Sequence, residues 1–510
     1  MDFHFPFFQN FVGVRMVMRG FKDWDADSLE TYAGTATRLS QRILVSEVAC
    51  HPEWEFLSVD VEKAFLQGIT YKELAEKTGE PEREVHFTVP PGAATQLRKI
   101  KGYESYDETT ECLRCIKPGT GCKDAPRCFS MKLAEVTQSD ECGMVPTMID
   151  PELEMMYENG KGLTMLMTKH VDDLKIGGLP PRPEQVLQRI EKIFGPMERN
   201  REEFTNCGVH QKRSPNGDIE WDQDDYIKDL IPITHHELTG KKKEDLPSEQ
   251  LTALFWSLLG ALAYALTTQH WLAVYVVALQ RVTQNPTVGD IRDLNTLVRK
   301  AKQAPAHIKF RSMKCHRTID THSDSSFKKE QEKGYGMRGA NYMRRGTDKD
   351  GQTVWHLLQS ECKSHKLVTR STFSSETLAA VGAADTLIML LFTMHELQTG
   401  PLSKTEARRL REEGGWCFNS ILTIDAMSVF SAIAASTVKV PSEKNLAGHL
   451  FWLRELLDRK IVTHIQWADT RDMSSDGHTK GSIDRQMLLD VMLGKFTYQR
   501  ATQLFPKKEA

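Results

Sequence analysis

Three carboxylates in apolar settings carry the first chemical signal in this sequence. Asp60 ends the run Phe56-Leu57-Ser58-Val59, and Asp172-Asp173 interrupts the apolar stretches 164–170 and 174–178. Apolar residues lead into the acid pair and a second apolar run leaves it, which reads as strand, tight turn, strand. Adjacent side chains of an extended strand point to opposite faces, so only a turn lets both carboxylates approach one site. Like charges held this close repel, and a divalent cation relieves them. An isolated Asp-Asp pair is ordinarily a solvated turn. The third acid, delivered by its own strand, shifts that balance, because a strand Asp and a hairpin pair can hold two Mg²⁺ for attack of a hydroxyl on a phosphoryl group.

Four more acids stand downstream. Asp324 ends the strand-like run Thr321-His322-Ser323, and Glu376 falls in the first turn of a helix opened by Phe373-Ser374-Ser375. Asp425 closes the buried run Ile421-Leu422-Thr423-Ile424, and Asp476 lies in the polar stretch 467–480. Taken singly, each is a cap or a surface charge.

The elements that must position these acids are legible in outline. Residues 28–47 read as a capped amphipathic segment with Leu39, Ile43 and Leu44 on one face, leading through His51-Pro52 into the Asp60 strand. Ala125-Pro126-Arg127 opens a helix, Pro180-Pro181-Arg182-Pro183 breaks the chain, and a helix follows over 184–194. A hairpin from Cys207 to Trp221 turns at Asn216-Gly217. Residues 248–304 are helical, with the apolar run 251–280 cut at Thr267-Thr268-Gln269-His270, too short for a membrane span of about 20 residues and better read as two buried helices. From about residue 316 the pattern changes to strands with short helices.

Three ordered motifs carry a family resemblance. Val59-Asp60-Val61-Glu62-Lys63-Ala64-Phe65-Leu66-Gln67-Gly68 resembles the first catalytic motif of copia-type LTR-retrotransposon reverse transcriptases. Gly121-Cys122-Lys123-Asp124-Ala125-Pro126-Arg127 is similar to that family's Gly-Leu-Lys-Gln-Ala-Pro-Arg segment, and His170-Val171-Asp172-Asp173 to its Tyr-Val-Asp-Asp box. Asp324, Glu376, Asp425 and Asp476, in that order and with the Thr479-Lys480 pair, resemble the RNase H site of the same polyproteins. The resemblance implies an α+β and α/β multidomain chain. It comprises a right-hand polymerase palm with partial fingers and thumb over 1–245, a helical connection over 246–315, an RNase H-like α/β domain over 316–485 and a C-terminal tail over 486–510. More of the fingers is expected upstream of Met1, so the chain reads as an N-terminally truncated part of the polyprotein. The downstream domain is expected to fold alone.

The implied activities are RNA-directed DNA polymerase and ribonuclease H. Each would use two Mg²⁺, or Mn²⁺, held by Asp60, Asp172 and Asp173 in one centre and by Asp324, Glu376, Asp425 and Asp476 in the other. Arg15 matches the Arg that contacts the incoming triphosphate, Arg19 stands where a Lys is usual, and Phe65 matches the aromatic that gates the nucleotide 2′ position. Asp124, Arg127 and His170 complete the implied substrate contacts. The partners would be an RNA template, a DNA primer, an RNA–DNA hybrid and deoxynucleoside triphosphates, with no membrane. The alternatives are an inactive remnant that at most binds RNA–DNA duplex, and a nuclease with the upstream half as its duplex grip.

Three residues depart from the pattern. Asp124 replaces a Gln, and a carboxylate beside a triphosphate is electrostatically awkward unless it faces away or pairs with Arg127. His170 replaces the box Tyr. Lys175 sits in an otherwise apolar strand, where it either neutralises the acid pair or snorkels to solvent.

Composition agrees with a globular chain of several domains: 510 residues, 40% hydrophobic, 26% charged and a net charge of −3, so any nucleic-acid footprint must be local. No secretory signal opens the sequence, and the ten scattered cysteines read as reduced thiols, implying a cytoplasmic or nuclear location. Cys112, Cys115, Cys122 and Cys128 have spacing that suits zinc, but they overlie the segment expected to line the polymerase site.

Overall fold

The computed structural model describes residues 17–25, 27–90, 92–327 and 336–506, residues 315 and 316 by their backbone only. It is a mixed α/β structure with three main sheets. The first is antiparallel throughout and contains β1 (Glu55–Val61), β2 (Val145–Pro146), β3 (Leu153–Glu158), β4 (Gly162–His170), β5 (Asp173–Gly178) and β6 (Met197–Arg201), in the order β2-β3-β4-β5-β1-β6. Alternation in β1 sends Leu57, Val59 and Val61 into a core shared with Phe129 and Leu133 of α2 (Ala125–Thr137) and Ile190 of α3 (Arg182–Phe194). Ser58 and Asp60 therefore face the other way. The β4–β5 hairpin closes on the pair His170 and Asp173, with Val171 and Asp172 at its tip and Val171 held at φ 59°. A β-branched residue there is strained, which marks the tip as a locally imposed conformation.

A second sheet, in the order β10-β9-β8-β7, contains β7 (Glu203–Asn206), β8 (Val209–Arg213), β9 (Ile219–Asp222) and β10 (Ile308–Phe310). The hairpin between β8 and β9 turns at Asn216-Gly217 as its sequence requires, with Gly217 at φ 87°. Between β9 and β10, α4 (Glu249–Ala265), α5 (Ala273–Gln280) and α6 (Val288–Gln303) bury Leu251, Phe255, Leu262, Ile291 and Val298 against one another.

The third sheet runs β13-β12-β11-β14-β15-β16, from β11 (Lys314–Ser326), β12 (Met337–Thr347), β13 (Thr353–Ser364), β14 (Asn419–Ile424), β15 (His464–Trp467) and β16 (Gln503–Phe505). The β11–β12–β13 part is antiparallel, and β14 and β15 continue from β11 in parallel. Across it lies α7 (Thr372–Thr399), capped by Ser371, whose length and apolar composition would allow it to cross a membrane but whose span is mostly buried in this core.

Two expectations change. Within the segment read as a tail over 486–510, the described residues 486–506 supply α8 (Gln486–Met492) and β16, the latter pairing with β15, and Val491, Met492 and Phe496 are fully buried. The downstream sheet is also not a separate body. In the segment 28–47, the helix is α1 (Arg38–Cys50), capped by Thr37, and every residue from Ser40 to Ala49 is buried. One side of α1 meets the first sheet at Gly177, where a Cβ would lie 2.3 Å from Val48. Its other side meets the third sheet, where Ser46 Oγ lies 2.8 Å from Nδ1 of His356 and Arg42 donates to the Leu358 carbonyl at 3.4 Å. One hydrophobic cluster consequently runs from Ile43 and Val48 through Trp221 and Phe310 to Leu357 and Leu387.

Candidate active sites

The tightest gathering of acids is at the third sheet. Asp324 lies near the end of β11 and Asp425 follows β14, and because these strands are parallel neighbours their carboxylates leave the same edge. Glu376 lies in the early turns of α7, which packs over that edge. Ligand oxygens of Asp324, Glu376 and Asp425 all fall within 4.8 Å of one another. Asp476 arrives on the short 3-10 turn Ser474–His478, which approaches β12 closely because Gly339 has no side chain: a Cβ there would lie 2.6 Å from that of His478.

Burial first, and the charge of Asp324 next, push the carboxyl groups of Glu376, Asp425 and Asp476 above their ordinary range. Burial and mutual repulsion thus both oppose charge on these acids as they stand. Asp324 is fully buried; its Oδ2 accepts the hydroxyl of Thr479, while its Oδ1 accepts no hydrogen bond from the described residues. Thr470 donates to Asp425 Oδ2 at 2.8 Å. Lys480 places Nζ 2.6 Å from Asp476 Oδ1 and 3.6 Å from Asp324 Oδ1. A buried carboxylate oxygen without a donor, converging acids and a cation already drawn among them form a donor set that fits a hard divalent ion.

Behind the acids, His322 lies 2.9 Å by Nδ1 from Ser474 Oγ and 2.6 Å by Nε2 from the Tyr498 hydroxyl. Asn341 donates to Ser474 Oγ at 3.0 Å, and its Oδ1 lies 2.9 Å from His478 Nε2. Burial lowers His322 to about 3, so this network is neutral and anchors the turn that carries Asp476. His322, Asn341 and Gly339 do not stand out as site residues in the sequence, and Lys480 does so only as part of a motif. The period-two series Asp320-x-His322-x-Asp324, three buried polar residues on one strand face, was the available signal.

The second set of acids is differently arranged. Asp60 and Asp173 are direct cross-strand neighbours, with Asp172 at the adjoining tip. Burial, then Asp172 and Asp173, raise the Asp60 carboxyl. The Asp173 carboxylate, however, is already engaged: Oδ1 accepts from Asn206 Nδ2 at 2.5 Å and Ser58 Oγ at 3.3 Å, and Oδ2 from the Cys207 amide at 2.9 Å. Among the described residues, Asp60, Asp172 and Asp173 do not bring ligand atoms together as Asp324, Glu376 and Asp425 do. Lys175 neither snorkels nor forms an ion pair with the acids. It is fully buried, 3.4 Å from Gln211 Oε1 and 4.7 Å above the Trp221 ring, and burial lowers it to about 7.

The remaining expected contacts are dispersed. Arg15 lies outside the described residues, and Arg19 is exposed on the segment whose Met18 amide donates to the Thr120 carbonyl at 2.8 Å. Phe65 is half-buried in the 3-10 turn Ala64–Leu66, and His170 is exposed beside Thr35. Asp124 does not pair with Arg127. It is buried and bonded to Arg83, which also grips Asp23, while Arg127 forms a bidentate pair with Glu80 at 2.8 and 3.0 Å.

Among the described residues, the four thiols considered for zinc do not converge: Cys112 is exposed while Cys122 and Cys128 are buried. His235, His236 and Glu237 do gather ligand atoms, but the Glu237 carboxylate is taken by Ser248 and, at 2.6 Å, by Lys241. A groove of about 430 Å³ on the helices, lined by Trp256, Leu259, Gly260, Gln280, Thr283 and Gln284, contains no ionisable group.

No protein family matches this sequence, and no curated protein does. Among solved structures, the native prototype foamy virus protease-reverse transcriptase aligns with 92% of this chain and 70% of its own, at 9% identity and a TM-score of 0.19. At that score the chemistry rests on the side chains described above.

Proposed function

We propose that this chain is the reverse transcriptase and RNase H portion of a copia-type retrotransposon polyprotein, acting on RNA–DNA hybrid through metal-assisted phosphoryl transfer. The observation that carries the proposal is the convergence of Asp324, Glu376 and Asp425, with Asp476 and Lys480 beside them, at one edge of a parallel-plus-antiparallel sheet. Asp324, with no donor on Oδ1, would be the central ligand for Mg²⁺, and Glu376, Asp425 and Asp476 would complete the set. Mg²⁺ when bound would stabilise charge on the phosphodiester and help generate the attacking hydroxide. The protein's part is to hold four carboxylates convergent, fix the Asp476 turn through His322 and Asn341, and keep Asp324 from water. Asp60 and Asp172 would hold metal at the polymerase centre, with RNA template, DNA primer and deoxynucleoside triphosphates as partners.

A nuclease-only reading is favoured by the engagement of Asp173 with Asn206 and Cys207 and by the burial of Asp124. In it, the upstream sheet would only grip the duplex.

The full chain should cut the RNA strand of an RNA–DNA hybrid with Mg²⁺, and Asp324→Asn should lower the rate by at least about 10²–10³, the worth of one preorganised electrostatic contact. Cutting that persists in Asp324→Asn or in EDTA would overturn the assignment. Primer extension on poly-rA, compared between the parent and Asp172→Asn, separates the two readings: loss in the variant supports a polymerase, and no extension by either leaves the nuclease alone.

A further inference from the structure

We propose that Lys480 is a built-in competitor for the metal, an internal cation that occupies the acid cluster until a divalent ion displaces it. The inference rests on reading Asp324, Glu376, Asp425 and Asp476 as a metal site. Lys480 sits four residues after Asp476 and reaches back over the 3-10 turn, placing Nζ 2.6 Å from Asp476 and 3.6 Å from Asp324. Asp324 is completely buried, and among the described residues its Oδ1 has no hydrogen-bond donor and Lys480 is the cation paired with it.

One ammonium cannot neutralise four carboxylates, but it supplies the cation that lets them stay convergent without metal. Its position is also the one a metal needs, because a hard ion bound to Asp324 and Asp476 must lie between the oxygens that Nζ now approaches. Ion and ammonium therefore exclude each other. The Lys480 side chain is 31% exposed, so it has a way out to solvent that Asp324 lacks. The measured metal affinity is then the intrinsic affinity reduced by the fraction of molecules whose site Lys480 has vacated. The residue sets how much free metal the centre needs before it is loaded.

The test is Mn²⁺ binding to the full chain, followed by electron paramagnetic resonance of the free ion. Subtracting the same titration of Asp324→Asn isolates this site from other sites. Lys480→Gln removes the competing charge and should tighten Mn²⁺ binding about tenfold, whereas Lys480→Arg keeps the charge and should not. In EDTA, Lys480→Gln should melt below the parent, because its acids are left uncompensated, and should gain more from added Mn²⁺. Parental or weaker binding by Lys480→Gln would overturn the proposal. If Asp324→Asn titrates like the parent, the reading of the site itself fails and the proposal falls with it. A measurement on the unmodified chain covers the case in which the variant does not fold: labelling of Lys480 by an amine-reactive reagent, read by mass spectrometry, should rise when Mn²⁺ is added. Unchanged labelling at saturating Mn²⁺ would equally overturn it.

Discussion

Arg344 and Glu47 form a buried ion pair, Nη1 to Oε1 2.9 Å, that fastens α1 to β12. Ser46 Oγ accepts from the same guanidinium at 3.2 Å. Replacing one partner leaves the other charged and unpaired in the interior, so Arg344→Met should destabilise the protein by about 3–5 kcal/mol, while adding Glu47→Leu should restore most of it. Denaturant unfolding of the two variants measures this, and a single variant as stable as the parent would show that water reaches Glu47. The same contact bears on the downstream sheet. A fragment beginning near residue 315 lacks α1 and uncovers the surface that His356 and Leu358 present to it, so it should unfold at lower denaturant than the intact chain.

Much of the frame was legible in the sequence because it is encoded locally. The alternation of Leu57, Val59 and Val61, the hairpin around Val171-Asp172, the Asn216-Gly217 turn and the helix opened by Pro126 all depend on neighbours a few residues away. What escaped depends on partners far along the chain. The orientation of Asp173 is set by Asn206 and Cys207, and that of Asp124 by Arg83. The segment carrying α1 showed one apolar face, yet Arg42, Ser46 and Glu47 are buried as well, against Leu358, His356 and Arg344 of the third sheet, and Gln41 is buried beside Cys207. The order of the four downstream acids singles them out in the sequence, and the structure brings ligand atoms of Asp324, Glu376 and Asp425 together, whereas nothing local marks Lys480 as the cation beside them.

Asp124 is expected to act on stability rather than on nucleotide binding. It is buried against Arg83, which Asp23 also holds. Asp124→Gln should cost about 1–3 kcal/mol, the penalty for a buried group losing its charged partner, and leave the KM for nucleotide unchanged. A lower KM in the variant would place the carboxylate near the triphosphate after all.

Lys175 gives the protein a pH dependence of definite sign. Burial holds the amine at about 7, against about 10.4 for an unperturbed lysine. Between those values the unfolded chain binds the extra proton, so stability should rise with pH from about 7 to about 10. Lys175→Met keeps the packing over Trp221 without the amine, and should be more stable than the parent at pH 7 with that rise removed. Urea unfolding of both proteins at pH 7 and 9.5 tests it; parallel changes in the two would mean that the buried amine stays charged.

The anchoring of Asp173 separates its role from that of Asp172. Its carboxylate is held by Asn206, the Cys207 amide and Ser58, on the face of β5 that also carries Lys175. Asp172, at the hairpin tip, has no such set of donors among the described residues and raises Asp60 more than Asp173 does. If the upstream acids extend a primer, Asp60→Asn and Asp172→Asn should each lower the rate by several orders of magnitude, beyond the 10²–10³ of one electrostatic contact. Asn206→Ala should act more mildly, because the two remaining donors still hold Asp173. The loss of one hydrogen bond to a charged group, about 1.5–3 kcal/mol, corresponds to roughly 10–100-fold. Single-nucleotide extension with saturating Mg²⁺ ranks the three variants. Asn206→Ala as severe as Asp172→Asn would mean that the β7–β8 turn sets the whole metal geometry, and no effect at all would mean that Ser58 and the Cys207 amide suffice to hold Asp173.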